Sequence, residues 1–560
     1  MKYKALPIGV ENFEQMVEKE QNYYYVDKTL MIRDLLDKGG YVNLFTRPRR
    51  FGKSLSISMI QYFFDKQMID KKHAFDGLKI LEEDAKYLEH QNRYPVIKMT
   101  LKGTGMRKFE SAFKKLIEKI SAEYKRHLYL LSCDEMLASE RELYQKIIEK
   151  KASYEEYTNS LMGLSNYLER YHQEKVIILI DEYDVPLEKA HFNGYYEEMI
   201  EFIRSFFDDA LKTNDSLKFA VITGCLRVSK ESIFTGLNNL NIVSILSDSF
   251  GECFGFTQVE VDAMLAHYEL TAKTDEMRDW YNGYLFGETT VYNPWSSIKY
   301  LYDQIHGKIY LPIPHWSNTS SNAIIKDLIE ISDNEAKKEI EMLIAGGTIT
   351  KPINEDIVYA EIKESMDNLW NFLYFTGYLK KVSKAQVGVH NHFELEIPNK
   401  EIKYIYEKQI MTWFNKRVEM TDLKPLYTAL LEKDALTLAD ELNETLVETI
   451  SFMDSHENFY HGFLTGMFRG MKGYLVKSNR ESGNGRGDIF IRGVSMRKPA
   501  IVIEVKVAKR MQDLEKESQI ALDQIEEKKY VEELNQEGYR EIIKYGIAFY
   551  RKDCDVRFEK

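Results

Sequence analysis

A strand–loop–helix pattern constrains the fold of this 560-residue chain more than any other feature. An apolar run at 41–45 is followed by a loop that ends in Gly-Lys-Ser, and a helical pattern occupies 55–64. In such a loop the backbone N–H groups and the helix N-terminus surround phosphate groups, a lysine contacts the β- and γ-phosphates, and a hydroxyl binds Mg²⁺. We therefore expect a nucleoside triphosphate to be bound by Arg47, Pro48, Arg49, Arg50, Phe51, Gly52, Lys53 and Ser54.

A second motif follows the uninterrupted apolar run at 176–180. Such a run is typical of a strand that is buried on both faces of a parallel sheet. Asp181 and Glu182 come directly after it, at the carboxyl end where these sheets bind ligands. We expect Asp181 to complete the Mg²⁺ shell with Ser54, and Glu182 to polarise the attacking water. The alternative for this run alone is a buried strand that ends in a solvated acidic turn.

A third strand-like run covers 218–227. A polar residue at the end of a neighbouring strand is suited to contact the γ-phosphate, and Thr223 is the candidate. Arg227 is a candidate for stabilising transition-state charge, as arginine fingers do. An ordinary strand-end arginine is the alternative for Arg227.

Composition limits the class of protein. The length predicts two to four domains, and 44% hydrophobic residues with only 11 prolines favour packed domains over long disordered linkers. No apolar run has the length of a membrane span, and the first residues lack a signal-peptide core. The four cysteines form no Cys-x-x-Cys pair, which predicts reduced thiols, a cytoplasmic location and no structural zinc.

The charge distribution points to a site near the C-terminus. The net charge of −12 argues against a basic nucleic-acid-binding coat over the whole protein. Residues 472–510 nevertheless contain ten basic and only three acidic residues, which are Glu481, Asp488 and Glu504. A basic field around a few carboxylates is what a metal-dependent site for a phosphodiester requires.

Two strand-like runs carry the chemistry of this second site. Asp488 opens the first run, and Glu504 and Lys506 lie two residues apart in the second, on one face of an extended strand. We expect Mg²⁺, or Mn²⁺, to be bound by Asp488, Glu504 and the carbonyl of Val505, and Lys506 to orient or deprotonate the attacking water. The alternative is an edge strand with a solvated outer face. Flanking patterns predict an α-β-β-β-α-β order.

Taken together, the motifs resemble those of a prokaryotic family that joins an AAA-ATPase-like domain to a C-terminal nuclease-like domain of the PD-(D/E)XK superfamily. The resemblance rests on Phe13, 25–29, 47–54, 181–184, 223–230, 254–257, 280–284, 292–296, 457–461, 485–488, 504–506 and Gln524. Arg47 replaces the usual first glycine of a phosphate loop, and this family looks to share that substitution. The resemblance implies ATP binding and a nuclease-type fold, with accessory nuclease positions at Glu457, Glu481 and Gln524.

The predicted fold class is α/β. We expect an AAA-ATPase-like P-loop domain at 1–257 with a helical insertion from 66 to 171, and a helical, winged-helix-like region at 258–424. A helical lead-in and an α/β restriction-endonuclease-like domain are expected at 425–560. Evidence for the winged unit is the aromatic helical pattern at 369–379, followed by a hairpin-like pair. A lid over the nucleotide is favoured over a DNA-binding role, because the segment carries no dense basic stripe.

The sequence thus predicts an ATPase coupled to a Mg²⁺-dependent nuclease that acts on nucleic acid, with DNA preferred over RNA. The alternative is a nucleotide-dependent switch or scaffold whose nuclease-like domain binds nucleic acid or a partner without cleaving. A small-molecule kinase is disfavoured, because the acidic pair Asp181-Glu182 suits hydrolysis better than transfer. The oligomeric state is left open.

Overall fold

The computed structural model describes residues 3–226, 239–307, 311–316, 325, 334–355, 365–387, 390–409, 422–447, 457–478, 488–527 and 530–559. The chain divides into two compact units. The first unit comprises Met1–Ser320 and Thr350–Tyr404, and the second comprises Ser321–Ile349 and Ile405–Lys560. The predicted boundaries at 257/258 and 424/425 stay predictions.

A five-stranded parallel sheet forms the centre of the first unit, in the order β2-β3-β4-β1-β5. Its strands are β1 (Val42–Thr46), β2 (Val96–Thr100), β3 (Val176–Asp181), β4 (Leu217–Gly224) and β5 (Leu240–Val243). Strands β1 and β3 are buried at every position, and β4 at all but one. Because β4 lies between β1 and β3, the carboxyl ends of all three strands meet at one edge of the sheet.

Most of the segments that connect the strands of this sheet are helical. The α-helices up to residue 212 are α1 (Phe13–Val17), α2 (Leu30–Lys38), α3 (Lys53–Phe64), α4 (Ala85–Leu88), α5 (Phe109–Arg126), α6 (Ala138–Glu149), α7 (Tyr154–Thr158), α8 (Ser160–His172), α9 (Val185–Asn193) and α10 (Tyr196–Lys212). The predicted insertion from 66 to 171 is therefore mostly helical. It also contains strand β2, which the periodicity did not predict, because the strand is short and two of its five residues are only partly buried.

The rest of the first unit is helical with two small sheets. Helices α11 (Gln258–His267) and α12 (Thr274–Tyr281) precede the hairpin of β6 (Tyr284–Phe286) and β7 (Thr289–Val291), and α13 (Pro294–His306) follows it. Helix α15 (Met366–Phe375) precedes the hairpin of β9 (Lys380–Val387) and β10 (His390–Glu396), and β10 also pairs with β8 (Ile349–Pro352). The helix and the hairpin that the sequence predicts here are both present, and the winged-helix-like unit itself stays a prediction.

The second unit contains a mixed five-stranded sheet in the order β11-β12-β13-β14-β15. Its strands are β11 (Tyr474–Ser478), β12 (Asp488–Gly493), β13 (Ala500–Val507), β14 (Ile542–Tyr550) and β15 (Asp553–Glu559). Its helices are α14 (Asn334–Ile344), α16 (Lys424–Glu432), α17 (Ala435–Val447), α18 (Glu457–Phe468), α19 (Leu514–Glu527) and α20 (Tyr530–Gln536). The predicted α-β-β-β-α-β order is found from α18 to β14, except that two helices, α19 and α20, stand where one was expected, and β15 adds a further antiparallel strand.

No helix within the described ranges combines the length and the apolar composition that crossing a membrane requires.

Candidate functional site

The phosphate loop joins the end of β1 to the start of α3. Gly52 caps α3 with a φ of 84°, and Arg50 has a φ of 71°. Both values lie in the left-handed region, which favours glycine and strains other residues. The loop thus turns sharply enough to direct the first N–H groups of α3 towards a bound anion.

Lys53 projects into the interior of this loop. Its side chain is buried, and its Nζ donates hydrogen bonds to the carbonyl oxygens of Arg47 at 2.8 Å and Pro48 at 2.7 Å. The ammonium group is therefore held at the centre of the loop by weak, exchangeable acceptors. A phosphate oxygen is a stronger acceptor for the same protons, because it carries a formal charge.

Ser54, Asp181 and Thr223 form one hydrogen-bonded cluster. The Ser54 hydroxyl donates to Asp181 Oδ2 at 2.7 Å, and the Thr223 hydroxyl donates to Asp181 Oδ1 at 2.7 Å. Asp181 is 4% exposed. The ends of α3, β3 and β4 thus bring together a hydroxyl and a carboxylate, which are oxygen ligands suited to Mg²⁺. The structure places these three predicted residues side by side.

Glu182 follows Asp181 in the chain and has a φ of 54°. Burial raises the pKa of its carboxyl group, and the neighbouring Asp181 raises the pKa further, whereas Lys53 and Lys102 lower it. Left-handed backbone at a non-glycine residue is uncommon and often occurs at functional sites. Its side chain lines the cavity beside the loop.

Arg47 has a different environment from the rest of the loop. Its side chain is fully buried, and Nη1 donates to the carbonyl oxygens of Thr46 at 3.0 Å and Val243 at 2.8 Å. The guanidinium carbon lies 5.4 Å from the ring centre of Phe254 and 4.8 Å from that of Phe286. Burial lowers its pKa to about 9. Arg47 was expected to contact the nucleotide. Its side chain instead lies in the core beneath the loop, where it links the end of β1 to the end of β5.

A cavity of about 470 Å³ opens beside the loop. Its polar wall includes 49–54, Lys102 and Glu182. Its apolar wall is formed by Leu6, Pro7, Val10, Tyr24, Val26, Phe256, Met264, Trp295 and Ile298. Arg47 and Pro48 are not part of its lining. The volume lies in the range of small-molecule and cofactor sites.

Two loop arginines have partners in this wall. Arg49 forms an ion pair with Glu188, and the Arg50 guanidinium lies 4.5 Å from the ring centre of Trp295. Phe51 packs edge-on against Tyr284. These contacts fix the outer part of the loop. Arg227 lies outside the described residues, and its predicted role stays a prediction.

The second predicted site lies on the central strand of the second sheet. Antiparallel register pairs Asp488 of β12 with Glu504 of β13, and β13 also pairs with β14 in parallel. Glu504 is fully buried, and Lys506 Nζ lies 3.2 Å from Glu504 Oε1. Val505 is buried as well. The alternative of a solvated edge strand is therefore excluded, because β13 is paired on both sides.

The accessory positions are distributed over the neighbouring helices. Gln524 lies on α19, which packs against β13 and β14, and α18 begins at Glu457. Glu481 and the side chains of Glu457 and Asp488 fall outside the described part of the structure. Within the part that is described, no group of three or more His, Cys, Asp or Glu side chains forms a metal cluster. The described part of this site consists of one buried carboxylate and one lysine.

Comparisons with protein families match the two parts of the chain that contain the two candidate sites. A family model described as a predicted AAA-ATPase matches residues 7–234, and one described as the PD-(D/E)XK nuclease superfamily matches residues 455–559. The chain joins an AAA-ATPase-like domain to a PD-(D/E)XK nuclease superfamily domain. It is also 26% identical over 405 residues to an "Uncharacterized protein in vnfD 5'region" from Azotobacter chroococcum mcd 1, and the match covers 72% of this chain and 69% of that protein.

The sequence motifs suggested no role at the first site for Asp184, Trp295 or Lys102. Asp184 is buried and accepts hydrogen bonds from the N–H groups of Cys225 at 2.7 Å and Leu226 at 3.1 Å. Burial raises the pKa of its carboxyl group. Trp295 and Lys102 line the cavity. Asp184 was visible as the third acid of the 181–184 motif, whereas nothing in the sequence around Lys102 marks it.

Proposed function

We propose that the first domain binds and hydrolyses ATP. The observation that carries the proposal is the cluster of Ser54, Asp181 and Thr223, next to the buried ammonium group of Lys53. Mg²⁺, when bound with the nucleotide, would neutralise charge on the phosphates. Ser54 and Asp181 would hold it, and Lys53 would exchange its carbonyl acceptors for phosphate oxygens.

The remaining residues of the site would orient the reactants. Glu182 would accept a hydrogen bond from the attacking water and align it with the terminal phosphate. Thr223 would keep Asp181 in place through its 2.7 Å hydrogen bond. The apolar wall formed by the N-terminal segment and by Phe256, Trp295 and Ile298 supports binding of a nucleobase, since adenine buries two largely apolar ring faces.

We propose further that the second domain is a Mg²⁺- or Mn²⁺-dependent nuclease. A fully buried carboxylate on a central strand is costly unless it is paired or binds a cation, and Glu504 has Lys506 at 3.2 Å. Asp488 lies opposite it in the strand register. Asp488, Glu504 and the Val505 carbonyl would hold the metal, and Lys506 would orient the attacking water. The phosphodiester substrate is nucleic acid, with DNA to be tested before RNA.

Both activities are proposed to be coupled in one cytoplasmic protein. The four cysteines are free thiols, which supports a reducing compartment. The runner-up function is a nucleotide-dependent switch or scaffold, in which the second domain binds nucleic acid or a partner without cleaving it.

The test is cleavage of labelled single- and double-stranded DNA and RNA with Mg²⁺ or Mn²⁺, with and without ATP. Glu504→Gln is the matched variant, because it keeps the shape of the side chain and removes its charge. Cleavage that Glu504→Gln abolishes supports the nuclease, and a dependence on ATP supports coupling. Equal cleavage by both proteins would contradict the Glu504 assignment. No cleavage with ATP still hydrolysed would favour the switch.

A further inference from the structure

Lys102 occupies a position beside the catalytic carboxylates that no motif predicts. The parallel register of β2 and β3 pairs Thr100 with Asp181, and the next N–H, that of Leu101, donates to the Asp181 carbonyl at 2.9 Å. The strand pairing therefore extends one residue past β2. It holds Lys102 next to Glu182, and both side chains line the same cavity as Lys53.

The ammonium group of Lys102 forms an ion pair with another residue of the cavity lining. Its Nζ lies 2.6 Å from Glu11 Oε1, and both side chains are about half exposed, at 50% and 51%. Glu11 also lines the cavity. It precedes α1, where the Phe13 N–H donates to the Ser58 hydroxyl of α3 at 2.9 Å. The pair thus links the end of β2 to an N-terminal segment anchored on the phosphate-loop helix.

The ion pair of Lys102 and Glu11 is weak enough for Lys102 to exchange Glu11 for another anion. Half-exposed Lys–Glu pairs contribute little to stability, because solvent screens both charges. A terminal phosphate carries more charge and more acceptor oxygens than a carboxylate, and lysine binds phosphate as a compact point charge. Arg49, another cation of this wall, is already paired with Glu188. Lys102 is therefore well suited to respond to an added phosphate.

We propose that Lys102 distinguishes ATP from ADP by exchanging Glu11 for the γ-phosphate. The inference rests on the proposed function, since it requires ATP in this cavity. Glu11 acts as the competitor that holds the lysine when the terminal phosphate is absent. Lys102 is then a binding residue for the terminal phosphate, and Glu11 is a positioning residue that acts through Lys102.

The experiment compares binding of ADP and of the non-hydrolysable β,γ-imido analogue of ATP, each with Mg²⁺, by calorimetry. Lys102→Met should weaken binding of the imido analogue about tenfold, the worth of one charge-assisted hydrogen bond, and leave ADP binding unchanged. Lys102→Arg should retain most of the preference. Glu11→Gln should strengthen binding of the imido analogue by roughly two- to fivefold, because the competing pair is removed.

A double variant and a control separate this role from a structural one. In the Lys102→Met background, Glu11→Gln should have no further effect, because the two residues act through one contact. Lys151→Met is the control, since it breaks another exposed pair, with Glu149 at 2.8 Å, whose residues do not line the cavity. An unchanged ratio of the two affinities in Lys102→Met would overturn the inference alone. Wild-type protein that binds neither nucleotide would instead overturn the proposed function.

Discussion

Glu401 offers a prediction whose size follows from its surroundings. Its side chain is fully buried in the first unit, where Oε1 accepts hydrogen bonds from the Ser296 hydroxyl at 3.0 Å and the Trp316 N–H at 2.8 Å. No partner for Oε2 occurs among the described residues. Burial raises the pKa of this carboxyl group from 4.5 to about 8. At neutral pH the folded protein therefore keeps Glu401 protonated.

The sign of the effect on stability follows from proton linkage. Between pH 4.5 and 8 the folded state holds a proton that the unfolded state releases, so the free energy of unfolding falls as the pH rises through this window. At about 1.4 kcal/mol per pH unit, the full loss is on the order of 5 kcal/mol above pH 8. Roughly 4 kcal/mol of it falls between pH 5 and pH 8.5. Burial lowers the pKa of nearby His315 to about 4, so that imidazole adds no compensating charge.

Glu401→Gln mimics the protonated acid and removes the titration. Urea unfolding, followed by tryptophan fluorescence, reports mainly on the first unit, which contains four of the five tryptophans. The stability of the variant relative to wild type should increase steadily from pH 5 to pH 8.5, and shared titrations of other groups cancel in this difference. A difference in stability that stays constant over this range, or that changes in the opposite direction, would show that Glu401 is not protonated in the folded protein.

Three further predictions concern single residues. Arg47→Met should lower the free energy of unfolding by about 1–3 kcal/mol, because the Thr46 and Val243 carbonyls lose their donor. It should also weaken ATP binding, so urea unfolding measures the first effect and calorimetry the second. An unchanged free energy of unfolding would show that the guanidinium does not stabilise the loop. Gly546→Ala should destabilise the second unit by about 1–3 kcal/mol, because the added Cβ would lie 2.2 Å from the Ser518 carbonyl oxygen, and a melting temperature equal to that of wild type would contradict this close packing. Lys506→Met should abolish cleavage while ATP hydrolysis stays within about twofold of wild type, and parallel loss of both activities would indicate misfolding instead.

Much of the fold could be predicted from short stretches of sequence. Strand β3 begins with the apolar run 176–180 and β13 with the apolar run 500–503, and the Gly-Lys-Ser loop fixes the junction of β1 and α3. Each of these signals is local in the sequence. A strand that is buried on both faces is apolar at consecutive positions, so it can be predicted without knowing which strands pair with it. Strands β2 and β5 were missed because they are short and carry partly buried positions.

The sequence predicted only those residues of the first site that belong to a recognisable motif. Ser54, Asp181 and Thr223 were each expected at this site, because each residue ends or begins a predicted element, but the hydrogen bond from Thr223 to Asp181 was not expected. The direction of the Arg47 side chain depends on Val243, Phe254 and Phe286, which lie about 200 residues away in the chain, and no local pattern encodes it. The position of Lys102 depends in the same way on the register of β2 against β3.

ATP hydrolysis at the first site is tested most directly by measuring ATP binding and turnover of the wild-type protein and of Glu182→Gln side by side. Glu182→Gln should bind Mg²⁺-ATP as tightly as wild type and hydrolyse it at least about a hundredfold more slowly, since water alignment is lost while the loop is kept. Lys53→Ala is the control that should lose binding. Normal turnover in Glu182→Gln, or no ATP binding by the wild-type protein, would contradict the account.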